Sequence, residues 1–131
     1  MAASNTHQFI ADLIHNKMQT DGYSVVAYDG TSYNLPNDLH NTIKILRHRP
    51  DLIGVKGYDL AIGEAKTAED LTVHSLEQIK DFISLRGKNI TSTLYIGIPL
   101  SAEGNFKQFL KDGNVDYSKI YFLTVPDRLL P

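Results

Sequence analysis

The chain has 131 residues, 42% apolar and 21% charged, the size and balance of one ordinary globular domain (1–131), large enough for a core, rather than of two domains. It contains no cysteine, which excludes a disulfide framework, a thiolate zinc site and a thiol nucleophile. Thirteen Lys and Arg against fifteen Asp and Glu leave a net charge of −2, which argues against indiscriminate nucleic-acid binding. The charge is unevenly placed, however: residues 40–57 hold Lys44, Arg47, Arg49 and Lys56 against Asp51 alone, a local +3 that leaves −5 for the remainder. Such a patch suits a protein that meets phosphates at one face, and equally suits a solvated loop. The N-terminus MAASNTHQFIADLIHNK lacks a cationic start followed by an unbroken apolar run, and no stretch approaches membrane-spanning length. The expectation is a cytoplasmic protein with no membrane partner.

The elements follow in chain order. Phe9, Ile10, Leu13, Ile14 and Met18 recur at helical spacing, so the pattern predicts a helix over 5–20, with Ser4 to Thr6 as capping candidates and Gly22 as the stop. Tyr23 to Tyr28 is rich in β-formers and predicts a strand closed by Asp29-Gly30. Residues 34–37 read as a loop and 38–46 as a short helix delivering Arg47 and Arg49. Two strands are predicted over about 51–56 and 58–66, joined at Lys56-Gly57-Tyr58. A helix over 68–85 carries Leu71, Leu76, Ile79, Phe82 and Ile83, and 91–98 fits a buried strand. Ser101 is the expected cap of a helix bearing Phe106, Phe109 and Leu110 that stops at Gly113, before a last strand over 119–125. An antiparallel meander followed by right-handed crossovers gives a mixed sheet with helices on both faces, an α/β fold.

The chemistry concentrates in the run RPDLIGVKGYDLAIGEAKTAEDL, where Pro50-Asp51 is followed, after twelve intervening residues, by Glu64-Ala65-Lys66. Side chains alternate along a strand, so Glu64 and Lys66 share a face and Ala65 points away. A two- or four-residue connection sets Asp51 opposite Ile62 or Glu64 and places all three groups on one side. A three-residue connection moves Asp51 across the sheet unless a bulge restores it. Two carboxylates and an ammonium at one spot are the minimum equipment for divalent-metal hydrolysis of a phosphodiester. The same three groups would also make an inter-strand ion pair at a sheet end.

These residues resemble the PD-(D/E)xK nuclease superfamily, which has the restriction-endonuclease-like fold. The resemblance covers residues 5 to 98: the element order agrees with the αβββαβ core of that superfamily, to which the last helix and strand add a C-terminal αβ extension. Pro50-Asp51 and Glu64-Ala65-Lys66 match its motif, Gly63 and Thr67 flank the tripeptide, and a helix with Gln78 follows. The resemblance implies Mg²⁺ or Mn²⁺ held by Asp51, Glu64 and the backbone carbonyl of Ala65, hard oxygen ligands of the kind those ions favour. Lys66 would orient or help deprotonate the attacking water and stabilise charge on the phosphorane. Gln78 matches a polar position that supports the site or touches substrate; otherwise it is a solvated helix residue. Many members carry a Glu in the first helix, and the equivalent place here falls near Gln8, with His7 and Asp12 as neighbours.

The expectation is a metal-dependent nuclease cutting DNA, of restriction, repair, recombination or mobile-element type, acting as a homodimer or with a partner subunit. The competing expectation is a weak or inactive subunit of the same fold that binds nucleic acid or regulates excision or defence. His48 stands three residues before Asp51, as a phosphate contact or a surface histidine, and at most one of Arg47 and Arg49 faces the site if the segment is extended. The five histidines show no HxxxH or HxH spacing, and no GxGxxG, Walker or GxSxG motif is present.

Overall fold

A computed structural model describes residues 5–28, 45–85 and 91–131. Helix α1 (Asn5–Thr20) is followed by strands β1 (Ser24–Tyr28), β2 (Leu52–Lys56) and β3 (Asp59–Ala65), helix α2 (Val73–Ile83), strand β4 (Thr91–Pro99), helix α3 (Leu100–Asp112) and strand β5 (Ile120–Val125). The five strands form one mixed sheet in the order β1-β2-β3-β4-β5. β1, β2 and β3 pair antiparallel, whereas β3, β4 and β5 pair parallel across the two intervening helices. Among the described residues no helix is long and apolar enough to cross a membrane. The short helix expected over 38–46 lies almost wholly outside the described residues, as do Asp29 and Gly30.

Local signals explain where the elements stop. α1 ends as its apolar spacing predicts: Gly22, at φ 96°, donates to Gln19, and Tyr23 donates to Met18, the paired bonds that close a helix through a left-handed glycine. The helix expected over 68–85 is broken in two. Thr67 and Asp70 form a capping box around a 3-10 turn at Ala68–Asp70, and Thr72 then caps α2 by accepting from the Ser75 N–H at 3.1 Å. Leu71 falls between the two caps and is exposed rather than part of the core stripe. Nor does Ser101 cap α3. It lies inside the first turn, where its N–H and hydroxyl both donate to Asp127, so one orphan donor of that helix end is met by a carboxylate from beyond β5.

The sheet separates two cores. On one face Ile10, Ala11, Ile14 and Met18 of α1 pack on Val25, Leu52, Ala61, Ala65 and Tyr95. On the other, Ile79 and Phe82 of α2 and Ala102, Phe106 and Leu110 of α3 cover Ile62, Leu94, Ile96 and Ile98. A bulge in β1 re-phases that strand, because Val25 pairs with Gly54 and Ala27 with Ile53, leaving Val26 as an extra, exposed residue. Tyr28, opposite Leu52, is thereby turned onto the α1 face.

α1 lies close against the sheet because the strands beneath it lack side chains where it crosses. A Cβ at Gly97 would stand 2.5 Å from Ile10 Cγ2 and 2.9 Å from Ile14 Cδ1, and one at Gly63 2.8 Å from Ile14 Cγ2. We therefore expect Gly97→Ala to destabilise the protein by about 1–3 kcal/mol through overpacking. Gly104→Ala should stabilise it by about 0.5–1 kcal/mol, since that glycine sits in α3 with open space around it. Urea unfolding of the two variants checks both signs.

Candidate functional site

The β2–β3 hairpin determines which side chains meet. Lys56 pairs with Asp59, so the connection is the two residues Gly57 and Tyr58, with Gly57 at φ 60°, a first central position that suits glycine in a hairpin turn. Of the connections weighed above, the two-residue one is present, because Lys56 belongs to β2 and not to the join, and no bulge is needed. Leu52 consequently pairs with Gly63, and Asp51, one residue earlier, comes level with Glu64 at the end of the sheet. The side chains on the α2 face of β3 are then Leu60, Ile62 and Glu64, and Lys66 follows just beyond the strand.

The two carboxyls differ in surroundings. Asp51 Oδ2 accepts the Ala65 N–H at 2.9 Å and lies 3.2 Å from His7 Nε2, on the first turns of α1. Glu64 is buried, and its Oε1 accepts from Gln78 Nε2 at 2.8 Å; the Gln78 Oε1 in turn accepts from Lys66 Nζ at 2.8 Å. One buried amide thus ties the acid to the lysine, each end matched to its partner's donor or acceptor character. Asp70 holds Thr67 through its backbone N–H at 2.7 Å, and its charge is felt at both His7 and Glu64.

The pair shares a proton unequally. Burial pushes the Glu64 carboxyl well above the usual range and the Asp51 charge pushes it further, with Lys66 opposing. Burial also acts upward on Asp51, but hydrogen bonds from His7 and Glu64, the His7 charge and the Ala65 N–H outweigh it, and Asp51 is held below its ordinary value. The hydrogen bond to Asp51 raises His7 most, against the effect of burial, and the charges of Asp51 and Asp70 add to it. Ionised Asp51 beside protonated Glu64 is the expected state of two acids that cannot both be charged in a dry site.

A divalent cation fits this donor set. It would relieve the repulsion that keeps Glu64 protonated, with Asp51, Glu64 and the Ala65 carbonyl as hard oxygen donors. Among the described residues no three acids or histidines form a ready ligand cage, so such an ion would keep much of its water, as Mg²⁺ commonly does.

Not every residue singled out from the sequence gathers here. Asp51, Glu64, Ala65, Lys66 and Gln78 come together. Gln8 donates to the Tyr28 hydroxyl, which donates to Asp12 Oδ1 at 2.8 Å, and it is the neighbouring His7 that meets Asp51. Burial, with help from Asp12, raises the Tyr28 phenol far above its usual range. His48 is not a surface residue: it is buried, its ring packs on Phe82 and His74, and its Nε2 lies 2.7 Å from Asp81 Oδ2. Arg47 is drawn to the same oxygen, and Arg49 is exposed. Residues 45–48 form a tight turn, not an extended run, so the alternation expected of Arg47 and Arg49 does not arise. Lys56 of the basic patch stands apart from Asp51, because it ends β2 while Asp51 precedes it, and its Nζ is spent on the Asp21 carbonyl and the Tyr23 ring. His40 and Lys44 lie outside the described residues.

Asp70 and Asp81 are residues the sequence reading did not place at or beside the site, and His7 was named there only as a neighbour of Gln8. Thr67-x-x-Asp70 carried a signal, the spacing of a capping box. Nothing local marked Asp81. No protein-family model, curated protein or solved structure matches the chain.

The proton on Glu64 has a consequence for stability. A carboxyl whose folded pKa is raised makes the native state bind more protons than the unfolded chain, so stability falls as pH rises above the ordinary value of 4.5 and levels off only beyond the raised folded value. Without divalent ions, Glu64→Gln should therefore be more stable than the wild type at pH 7. The advantage should shrink as pH is lowered and vanish below about pH 4. Urea midpoints across pH 4–8 measure the difference between the two curves.

Proposed function

We propose that this protein is a metal-dependent nuclease that hydrolyses DNA phosphodiester bonds on a restriction-endonuclease-like αβββαβ core. The observation that carries the reading is the convergence of Asp51, Glu64 and Lys66 at the end of the β2–β3 hairpin, with Gln78 bridging the acid and the lysine. Burying a carboxyl next to an ionised carboxylate costs stability. A protein with no use for a cation there would be more stable with apolar residues, which is why a purely structural ion pair is the weaker account.

In this reading Asp51 and Glu64, with the Ala65 carbonyl, hold Mg²⁺ or Mn²⁺. The bound ion would stabilise charge on the phosphoryl oxygens and lower the pKa of water. Gln78 fixes Lys66 Nζ beside Glu64, so the amine is held in place before substrate arrives and serves to orient or deprotonate the attacking water and to offset charge building at phosphorus. His7, next to the Gln8 position where the resemblance expects an acid, meets Asp51 and through it would adjust the charge of the ion's ligands. A chain of 131 residues has little surface for gripping a duplex, which favours a homodimer or a partner subunit.

One observation favours a second reading, a non-catalytic nucleic-acid-binding or regulatory subunit: α1 offers Asp51 a histidine and not a third carboxylate. Cleavage of linear, nicked, single-stranded and four-way-junction DNA with Mg²⁺ or Mn²⁺ separates the two. The nuclease reading expects cutting that requires the metal and falls by about 10²–10³-fold in Lys66→Ala, the usual loss when one positioned charge-stabilising donor is removed. Folded wild-type protein that cuts none of these DNAs, with or without binding them, would favour the subunit.

A further inference from the structure

Asp81 lies on α2 one turn beyond Gln78, the residue that ties Glu64 to Lys66. Its Oδ2 accepts from Arg47 Nε at 2.9 Å and lies 2.7 Å from His48 Nε2. Two adjacent side chains of one turn thus converge on a single oxygen atom. The turn closes on itself through reciprocal bonds, the Ile45 N–H to the His48 carbonyl at 2.7 Å and the His48 N–H to the Ile45 carbonyl at 3.1 Å, and it ends three residues before Asp51. It also holds Leu46 at φ 56°, a left-handed conformation that a leucine adopts only when its surroundings impose it.

The closed turn is seated on α2 through His48. The buried His48 ring packs edge-on against Phe82, with centroids 5.8 Å apart, and against His74 at 5.7 Å. Arg47 is largely exposed, and its pairing alone would contribute little. The His48 bond differs, because that side chain is only 3% exposed, although Asp81 itself remains 25% exposed. From this short attachment the chain runs through Arg49 and Pro50 directly to Asp51, with a proline limiting its freedom.

We infer that Asp81 is a positioning residue for Asp51. By seating the 45–48 turn on α2 it fixes the point from which Asp51 enters the site. The same helix fixes Glu64 and Lys66 through Gln78, so α2 is the common reference for both halves of the pair. The catalytic meaning of this rests on the proposed nuclease reading, whereas the placement of Asp51 is reported independently by the Ala65 N–H that it accepts at 2.9 Å.

The test compares the full chain with Asp81→Ala and Asp81→Asn by amide hydrogen exchange and by DNA cleavage with Mg²⁺ or Mn²⁺. In Asp81→Ala the Ala65 amide should exchange about tenfold faster or more, while Leu94 and Ile96 in the middle of the sheet change by less than about twofold. The same variant should lose kcat by about 10²-fold, the scale of an ångström-sized misplacement, with little change in KM. Asp81→Asn keeps an acceptor for one of the two donors and should recover part of both effects; it also carries the comparison if the alanine variant does not fold. An Ala65 amide that exchanges at the wild-type rate overturns the inference, and so does an equal acceleration of every sheet amide, which is loss of stability alone. Faster exchange confined to the site, in a protein whose wild type cuts no DNA, supports the positioning of Asp51 and removes the nuclease reading.

Discussion

A carboxyl group sealed from water must be neutral or have a cation at hand, and Glu64 is sealed beside another carboxyl that is itself ionised. That pairing organises the rest of the site. Asp51 keeps its charge because His7 and the Ala65 N–H face it, and Glu64 takes the proton because burial and Asp51 both oppose its ionisation. Gln78 can then serve Glu64 with its N–H and Lys66 with its carbonyl. The result is a small, nearly dry set of polar groups, each with a partner of matching character. Exchange of one proton for a doubly charged ion would change its electrostatics without requiring it to be rebuilt.

The two faces of the sheet contribute differently to this arrangement. α1 lies close because Gly63 and Gly97 have no side chain to hold it off, and that approach sets His7 against Asp51. The bulge at Val26 serves the same face by turning Tyr28 toward Gln8 and Asp12. α2 covers the opposite face and reaches the site through Gln78, with the 45–48 turn seated a helical turn further along. The site therefore occupies the sheet end where both helices are in reach. Neither helix alone brings Asp51, Glu64 and Lys66 into their observed relation.

The capping chemistry after Lys66 shows how local polarity interrupts a hydrophobic pattern. Thr67 and Asp70 satisfy one another's backbone, and Thr72 then starts a separate helix, so the chain leaves the sheet through a 3-10 turn and not a continuous helix. That interruption keeps Asp70 next to the site, where its charge adds to the pressure on Glu64 and His7. Leu71, which helical spacing alone assigns to the core, is exposed at the junction.

Much of the architecture could be read directly from residue order. The apolar spacing of Ile10, Ile14 and Met18, the β-rich runs around Val25, Ile53, Ile62 and Ile96, and the glycines at 22, 57 and 113 are local signals, and local signals decide where elements begin and end. The alternation that sets Glu64 and Lys66 on one face was legible for the same reason, whereas residue order left the parity of the connection open, and the pairing of Lys56 with Asp59 decides that Asp51 comes level with Glu64. What residue order did not disclose depends on groups far apart in the chain. His7 meets Asp51, Asp81 collects Arg47 and His48, and Asp127 takes the cap assigned to Ser101. Those pairings follow from how closely helices pack on a sheet and from which buried donors are left needing an acceptor. Both are properties of the assembled core, where burial raises the cost of an unmet polar group enough to choose its partner.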